Sequence, residues 1–295
     1  MTSKLVDLSI IIVSFNTAQI TQACVRSIIK SFTNTSITYE IIIIDNASND
    51  KTIILLNQIN SSHIKIIENK TNSGFAKANN QGVSFASGKY ILLLNSDTLI
   101  LDKAIEKMLI QYKKDPEIHF LGPKLLNNDL TEQASAAPFY SLPVIFGALF
   151  LKGDYWGLTR SSPTKFIKTD WVSGACILTT KENYQKLNGF DENIFMYMDE
   201  VDLLYRGSKL QLSTYFYPNA KVIHLGSGSS KERTEPILQV YKGFIYFYNK
   251  HHSLTEQYLL KNMLKLKAYI SLWIGKVINN SYLVKTYEKA LEMAG

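Results

Sequence analysis

Two uninterrupted apolar runs in this chain are followed at once or within three residues by aspartate: Ile41-Ile42-Ile43-Ile44-Asp45 and Leu92-Leu93-Leu94-Asn95-Ser96-Asp97. A run of isoleucine or leucine without polar alternation suits a strand covered on both faces, which is the condition of a parallel strand in an α/β sheet. A carboxylate just past the carboxyl end of such a strand lies over the crevice where open α/β sheets bind polar ligands. A third acidic group, Asp199-Glu200-Val201-Asp202, follows later in the chain. Carboxylates repeated along one sheet edge point to an enzyme that holds a polar ligand together with a divalent cation.

The rest of the first hundred residues agrees with this reading. Residues 10–13, 41–44, 64–67 and 90–94 read as strands, and residues 18–32 and 75–86 as helices between them. Asn49 or Asp50 is placed to cap a further helix with Ile53, Leu55 and Leu56 inward. Right-handed crossovers then give an open sheet flanked by helices. A helix over 102–112 stops at Asp115-Pro116, and residues 127–168, rich in proline, glycine and aromatics, predict loops and short helices that wall a pocket. A strand over 171–179, a helix over 181–187, an acid-bearing helix ending at Gly207 and strands over 212–217 and 222–225 complete this part. Beyond Gly226 the composition turns helical, aromatic and basic, with a helix over 235–251 and helical pattern over 254–294 broken at Asn279-Asn280.

The expected class is therefore α/β, with a mostly parallel open sheet flanked by helices and a C-terminal helical extension. The expected division is a catalytic domain over 1–233 (a nucleotide-binding half, 1–100, and an acceptor and catalytic half, 101–233) and an extension over 234–295. A chain of 295 residues with 46% hydrophobic content can bury such a core. The net charge of +7 suits an anionic partner without naming it. Cys24 and Cys176 are the only cysteines, which argues against a disulfide framework and for a reducing compartment. The apolar start of the chain is too short for a signal peptide, and no run of 18 apolar residues offers a membrane span. Lysines interleaved with Trp273 and Ile274 suit an interfacial helix or a dimer seam better than a nucleic-acid groove.

No Gly-x-Gly-x-x-Gly or Gly-x4-Gly-Lys-Ser run follows the first strand, which leads instead into Ser14-Phe15-Asn16-Thr17. A diphosphate must then be held by a metal and by side chains. Asp45 and Asp97 can converge above one sheet, although aspartate is also common in turns after strands. Asn69, Asn72, Gly74, Asn79 and Asn80 surround the third crossover, where a glycine lets the backbone approach a ribose. The acids at 199, 200 and 202 repel one another, so a buried cluster needs a cation, an arginine or a raised pKa on one member, and a raised pKa is what a general base requires; a solvated first helical turn is the alternative. His224 reads either as a core histidine or as a metal ligand, and the loop after it offers Ser229, Lys231 and Arg233 to phosphate oxygens.

In this order and spacing, these segments resemble the inverting glycosyltransferases of the GT-A fold, family 2, and within them the rhamnosyltransferase-like branch of bacterial cell-surface polysaccharide synthesis. The carriers are Ser14-Phe15-Asn16, Asp45-Asn46-Ala47-Ser48, Asn72-Ser73-Gly74-Phe75 through Gly82, Asn95-Ser96-Asp97, Trp171-Val172-Ser173-Gly174, Gly189-Phe190-Asp191, Asp199-Glu200-Val201-Asp202 and His224. The resemblance implies that Ser14, Asn16, Asp45, Asn69, Asn72, Gly74, Asn79, Asn95, Trp171 and Gly174 bind the donor. It implies that Asp97 and His224 hold Mg2+ or Mn2+; Asn95-Ser96-Asp97 keeps only the last acid of the family's Asp-x-Asp element. Glu200 stands in the place of the catalytic base, with Asp199 before it where glutamate is commoner and Asp202 as a third catalytic acid; the choice between Glu200 and Asp199 stays open. The implied donor is dTDP-rhamnose, with UDP-hexose or UDP-N-acetylhexosamine as the alternative. The implied acceptor is a polyprenyl-diphosphate-linked or growing polysaccharide, reached by a cytoplasmic enzyme peripheral to the membrane through its C-terminal helices, with a homodimer as a further option. A non-catalytic sugar-binding module with a degenerate metal site is the rival reading.

Overall fold

The computed structural model describes residues 6–226 and 234–295. In chain order its elements are β1 (Leu8–Ser14), α1 (Ala18–Ser31), β2 (Tyr39–Asp45), α2 (Thr52–Asn57), β3 (Ile64–Glu68), α3 (Phe75–Ser84), β4 (Tyr90–Asn95), β5 (Thr98–Ile100), α4 (Ala104–Lys114) and β6 (Phe120–Leu126). They continue with β7 (Glu132–Gln133), β8 (Ala136–Ala137), α5 (Leu142–Phe150), β9 (Ile167–Thr169), β10 (Trp171–Val172), β11 (Cys176–Thr180), α6 (Lys181–Lys186), α7 (Asp199–Lys209), β12 (Thr214–His224), α8 (Thr234–His251), α9 (Leu254–Val277) and α10 (Ser281–Ala294).

The main sheet runs β3-β2-β1-β4-β11-β6-β12-β5, with β7 and β9 on side branches. Its first half is parallel throughout: β1 pairs with β2 and β4, and β2 with β3. Beyond β4 it becomes mixed, because β11 runs antiparallel to both β4 and β6 while β12 runs parallel to β6. The chain moves outward from β1 through β2 to β3, then crosses back over β1 to form β4. The gap beyond the carboxyl ends of β1 and β4 is thus a topological switch point, where an open α/β sheet leaves a crevice.

The isoleucine runs are buried on both faces, as their lack of alternation requires. On one face Ile10, Ile12, Ile41, Ile43 and Leu92 pack with Cys24, Val25 and Ile28 of α1, Leu56 of α2 and Met108 of α4. On the other, α3 lies so close that a Cβ on Gly82 would stand 2.4 Å from Ile11 Cγ2. Both cysteines are buried free thiols.

Three elements differ from the sequence reading. Residues 120–126, Phe-Leu-Gly-Pro-Lys-Leu-Leu, form a fully buried central strand that the Gly122-Pro123-Lys124 interruption conceals. The two late strands are one, β12, bulged between Tyr217 and Lys221 around Pro218. The expected strand over 171–179 is two, broken at Ser173-Gly174-Ala175, and its first part pairs with β8 in a separate ribbon.

The described residues divide into two compact units. The first takes residues up to Pro138, Arg160–Phe195 and Asp199 to 226, and carries the sheet. The second takes Phe139–Thr159, Met196–Met198 and 234–295, joining α5 to the three C-terminal helices. Within it α8 buries Leu238, Tyr241, Phe244, Phe247 and Tyr248. A capping box between Ser253 and Glu256 starts α9, and Asn280 caps α10 through Leu283 N at 3.0 Å. The expected break at Asn279-Asn280 is the turn between these helices.

Candidate active site

The site is built where the parallel strands end. Asp45, the last residue of β2, is buried; its Oδ2 accepts from Ser48 N at 2.9 Å, while its Oδ1 is buried without a partner. A buried carboxylate oxygen with no donor costs free energy unless a ligand supplies one. Ser14 ends β1 and bonds Thr21 Oγ1 at 3.0 Å and Thr17 Oγ1 at 3.2 Å. Asn16, in a left-handed turn (φ 53°), binds the facing loop twice, donating from its N to Ser48 Oγ at 2.9 Å and accepting from Asn49 N at 2.8 Å.

Next to Asp45, Asn46 is the organiser that sequence reasoning did not single out. Its Nδ2 donates to Asn72 Oδ1 at 2.8 Å and to the Gly74 carbonyl at 3.2 Å. Its Oδ1 accepts from Asn69 Nδ2 at 3.1 Å and from Ser73 N and Oγ at 3.2 Å each. One buried amide thereby fixes the whole 69–74 loop against the end of β2. Gly74 needs to be glycine, since its φ is 86° and a Cβ would fall 2.9 Å from the Phe195 ring. Asn69 also exchanges amide bonds with Gln81, 2.9 Å each way. Asn69, Ser73, Lys77, Asn80, Gln81 and Glu192 contribute to the lining of an open cavity of about 560 Å³ beside this loop.

Beyond β4, His224 at the end of β12 faces Asp97, Nε2 to Oδ1 3.4 Å, and Asn95 Nδ2 lies 3.5 Å from the same ring nitrogen. The partner of its other nitrogen is Gln133 Oε1, 2.7 Å from Nδ1. Gln133 Nε2 donates to Asn127 Oδ1 at 3.0 Å and to the His224 carbonyl at 3.3 Å, which fixes the amide so that its oxygen must face Nδ1. Nδ1 therefore donates to Gln133. The Nε2 lone pair then faces both the Asp97 carboxylate and the Asn95 amide nitrogen, and two facing acceptors are what a shared cation would bridge.

Two ligands at about 2.1 Å from one cation are roughly 3.0 to 3.4 Å apart for angles near or somewhat above a right angle. The Asp97 to His224 separation thus fits one divalent ion. Asn95 Oδ1 is a second buried acceptor without a partner at this point. Among the described residues no group of three or more His, Cys, Asp or Glu is placed to hold a metal. The protein's own donors would be one carboxylate and one imidazole, the other positions falling to diphosphate oxygens and water. Ser229, Lys231 and Arg233, expected to meet phosphate, lie outside the described residues.

The acid cluster opens α7, and its three members have separate fates. Glu200 is half-buried and its Oε1 accepts from Gly174 N at 3.3 Å. Gly174 leaves it space: a Cβ there would stand 3.3 Å from Glu200 Cβ. Asp199 is buried, and burial together with the charges of Glu200 and Asp202 holds its carboxyl well above the usual range. Its place in a first helical turn favours the anion by less than about 1 kcal/mol, against a burial effect of up to several pKa units, so burial wins.

Three of the expected site residues are tied to the protein's own groups. Asp202 is fully buried and paired with Arg206 Nε at 2.7 Å. Arg206 in turn donates to the carbonyls of Leu187 and Gly189. Through Arg206 this acid ties α7 to the turn at 187–189. Trp171 is sealed in, its indole N–H donating to the Pro138 carbonyl at 2.9 Å with Arg160 over its ring, so it packs the wall behind the site. Asn79 is also buried, and its amide donates to the Phe75 carbonyl one turn back.

The remaining groups share one rim. Asn95 N donates to the Ala175 carbonyl at 3.0 Å, beside the Gly174 N–H that binds Glu200. A continuous series of contacts thus joins Glu200, Gly174-Ala175, Asn95, His224 and Asp97. Ser96 Oγ, 3.5 Å from Thr17 Oγ1, connects this series to Ser14 and the end of β1.

Residues 9–172, more than half of the chain, match the family model described as Glycosyl transferase family 2. An N-acetylglucosaminyl-diphospho-decaprenol L-rhamnosyltransferase of Mycobacterium tuberculosis is 28% identical over 144 residues, 46% of each chain. The chain therefore spans about half the length of that curated relative. A mannosyltransferase from Pyrobaculum calidifontis in complex with GDP-Man and Mn2+ superposes with a TM-score of 0.58 over 99% of this chain and 76% of that one, at 13% identity. GalNAc-T7 with UDP, GalNAc and Mn2+ gives a TM-score of 0.56 over 83% of this chain and 50% of that one, at 16% identity. At these identities the likeness shows a shared fold, the GT-A type.

Proposed function

Since the chain belongs to glycosyl transferase family 2, we propose that it transfers a sugar from a nucleoside-diphosphate donor to a hydroxyl of a polysaccharide-type or polyprenyl-diphosphate-linked acceptor, with inversion at the anomeric carbon. The observation that carries this is the contact series from Glu200 through Gly174-Ala175 and Asn95 to the His224–Asp97 pair, which puts a carboxylate and a cation site on one rim.

Glu200 takes the proton of the acceptor hydroxyl. That oxygen attacks the anomeric carbon on the face opposite the leaving group, the new C–O bond forms as the bond to the diphosphate oxygen breaks, and the nucleoside diphosphate departs. Burial holds the Asp199 carboxyl well above its ordinary range, whereas Glu200 is half-buried with its Oε1 on Gly174 N, and this placement favours Glu200 as the base. Asp97 and His224 would hold Mg2+ or Mn2+, which when bound offsets the charge growing on the diphosphate. The free Oδ1 of Asp45 accepts a hydrogen bond from the base or sugar of the nucleoside, at the depth where the 69–74 loop closes the pocket.

A UDP-hexose or UDP-N-acetylhexosamine is the favoured donor, because the solved structures similar to this chain hold UDP or GDP-linked sugar with Mn2+. The second reading, dTDP-rhamnose, is supported by the mycobacterial rhamnosyltransferase. A thermal-shift panel of UDP-, GDP- and dTDP-sugars with and without Mn2+ distinguishes them, since a ligand of the folded state raises the midpoint by mass action. Failure of all three to shift the protein, with no nucleoside diphosphate released in the presence of an acceptor lipid, overturns the proposal.

A further inference from the structure

The second unit carries a feature that sugar transfer does not use. Along α9, Leu260, Leu264, Ala268, Ser271 and Gly275 are buried, and they recur at helical spacing as one face. A helix with one buried apolar face should be polar on the opposite side. Here the opposite side is apolar too: Leu259, Leu266, Tyr269, Ile270, Trp273 and Val277 recur at the same spacing and are all exposed, Trp273 at 66%. At about 1.5 Å per residue this outward stripe runs roughly 27 Å.

Charge says what covers it. From Gln257 to Val277 the helix has no acid and four lysines, Lys261, Lys265, Lys267 and Lys276. By helical angle, at about 100° per residue, Lys265 and Lys276 flank the stripe on one side and Lys267 on the other, while Lys261 lies nearer the buried face. Lysines beside an apolar stripe can bury their stems and reach outward with their charge. Tyrosine and tryptophan among them suit a boundary that is apolar on one side and wet on the other. A second copy of the chain seated on this stripe would bring lysines against lysines. In the same unit, Lys267 lies 6.0 Å from the Phe150 ring centroid at the end of α5, and the segment after α5 exposes Tyr155, Trp156 and Leu158. Among the described residues no helix is long and apolar enough to cross a membrane.

We propose that the outward stripe of α9 lies in the plane of an anionic lipid surface, its apolar side chains among the acyl boundary and its lysines at the head groups. The inference goes beyond the transfer reaction and is read without donor or acceptor, so it stands or falls separately from the proposed function.

The test is co-sedimentation of the full chain with vesicles of phosphatidylcholine and phosphatidylglycerol against phosphatidylcholine alone. Wild type is expected to bind the anionic vesicles and to be released by salt. L266E together with W273E should weaken binding at least tenfold, while the melting midpoint stays within a degree or two because both side chains point outward. K265Q and K276Q together should weaken it by roughly 30-fold at low salt, about fivefold per lysine. If the glutamate variant fails to fold, the lysine series still decides. Absence of wild-type binding, binding unaffected by either variant set, or a dimer in sedimentation velocity that L266E and W273E dissolve without any vesicle binding would each overturn the proposal.

Discussion

Replacing Asp202 by asparagine separates two readings of the acid cluster, a third catalytic acid or a structural clamp. Its carboxylate is fully buried and contacts Arg206 Nε at 2.7 Å, and Arg206 ties down the Leu187 and Gly189 carbonyls. Removing one partner of a buried pair costs about 3–5 kcal/mol, because the other charge stays in place without compensation. The Arg206 side chain keeps 21% exposure, so water recovers part of that loss and D202N is expected to cost about 2–4 kcal/mol. At about 2–4 °C per kcal/mol for a unit of this size, the midpoint should fall by roughly 5–15 °C. Turnover measured well below the variant's midpoint should stay close to wild type, since the carboxylate does not reach the rim that carries Glu200. D202N that melts like wild type while its kcat drops by about 10²-fold would refute the clamp and return Asp202 to the chemistry. Pairing D202L with R206M should restore part of the stability, since apolar replacements leave no unpaired charge.

Glu200→Gln should lower kcat by about 10²-fold or more with donor affinity nearly unchanged, and a variant that turns over normally removes Glu200 as base. Gln133→Leu deprives His224 Nδ1 of its acceptor and frees the ring to change tautomer, so Mn2+ affinity read by spin resonance should fall about 10- to 100-fold, with Q133E restoring it; unchanged affinity in Q133L means that the contact does not orient the ring. For Asp199 the folded-state pKa lies above its ordinary value of 3.8, so the stability of the wild type is full below that value and is lost as pH rises toward the raised one. Asp199→Asn escapes this loss, and its urea midpoint relative to wild type should increase between pH 4 and pH 8; a pH-independent difference would place Asp199 in contact with solvent. Gly174→Ala sets a methyl group 3.3 Å from Glu200 Cβ and displaces the base by a few tenths of an ångström, which should lower kcat several-fold and leave nucleotide binding intact.

What the sequence reveals here depends on how each contact is made. The first four strands are legible because a strand buried on both faces writes itself as an unbroken apolar run, and Asp45 and Asp97 are legible because they interrupt such runs at the rim. The strand Phe120–Leu126 escapes detection for the opposite reason. Gly122 is required by Val172, only 2.6 Å from where its Cβ would stand; Pro123 sits opposite the point where β12 bulges; and Lys124 is buried because Glu132 neutralises it. Each exception is satisfied by a residue distant in the chain, so no local pattern encodes it. The site divides the same way. Asp202 and Arg206 are four apart on one helix, and that spacing alone could have marked them as a pair rather than as an acid awaiting substrate. Gln133 meets His224 from 91 residues away in a two-residue strand, and nothing in its neighbours signals the contact. The candidate ligands are therefore easier to read from this chain than the residues that orient them, because the candidates end regular elements while their supports are chosen only by the folded geometry.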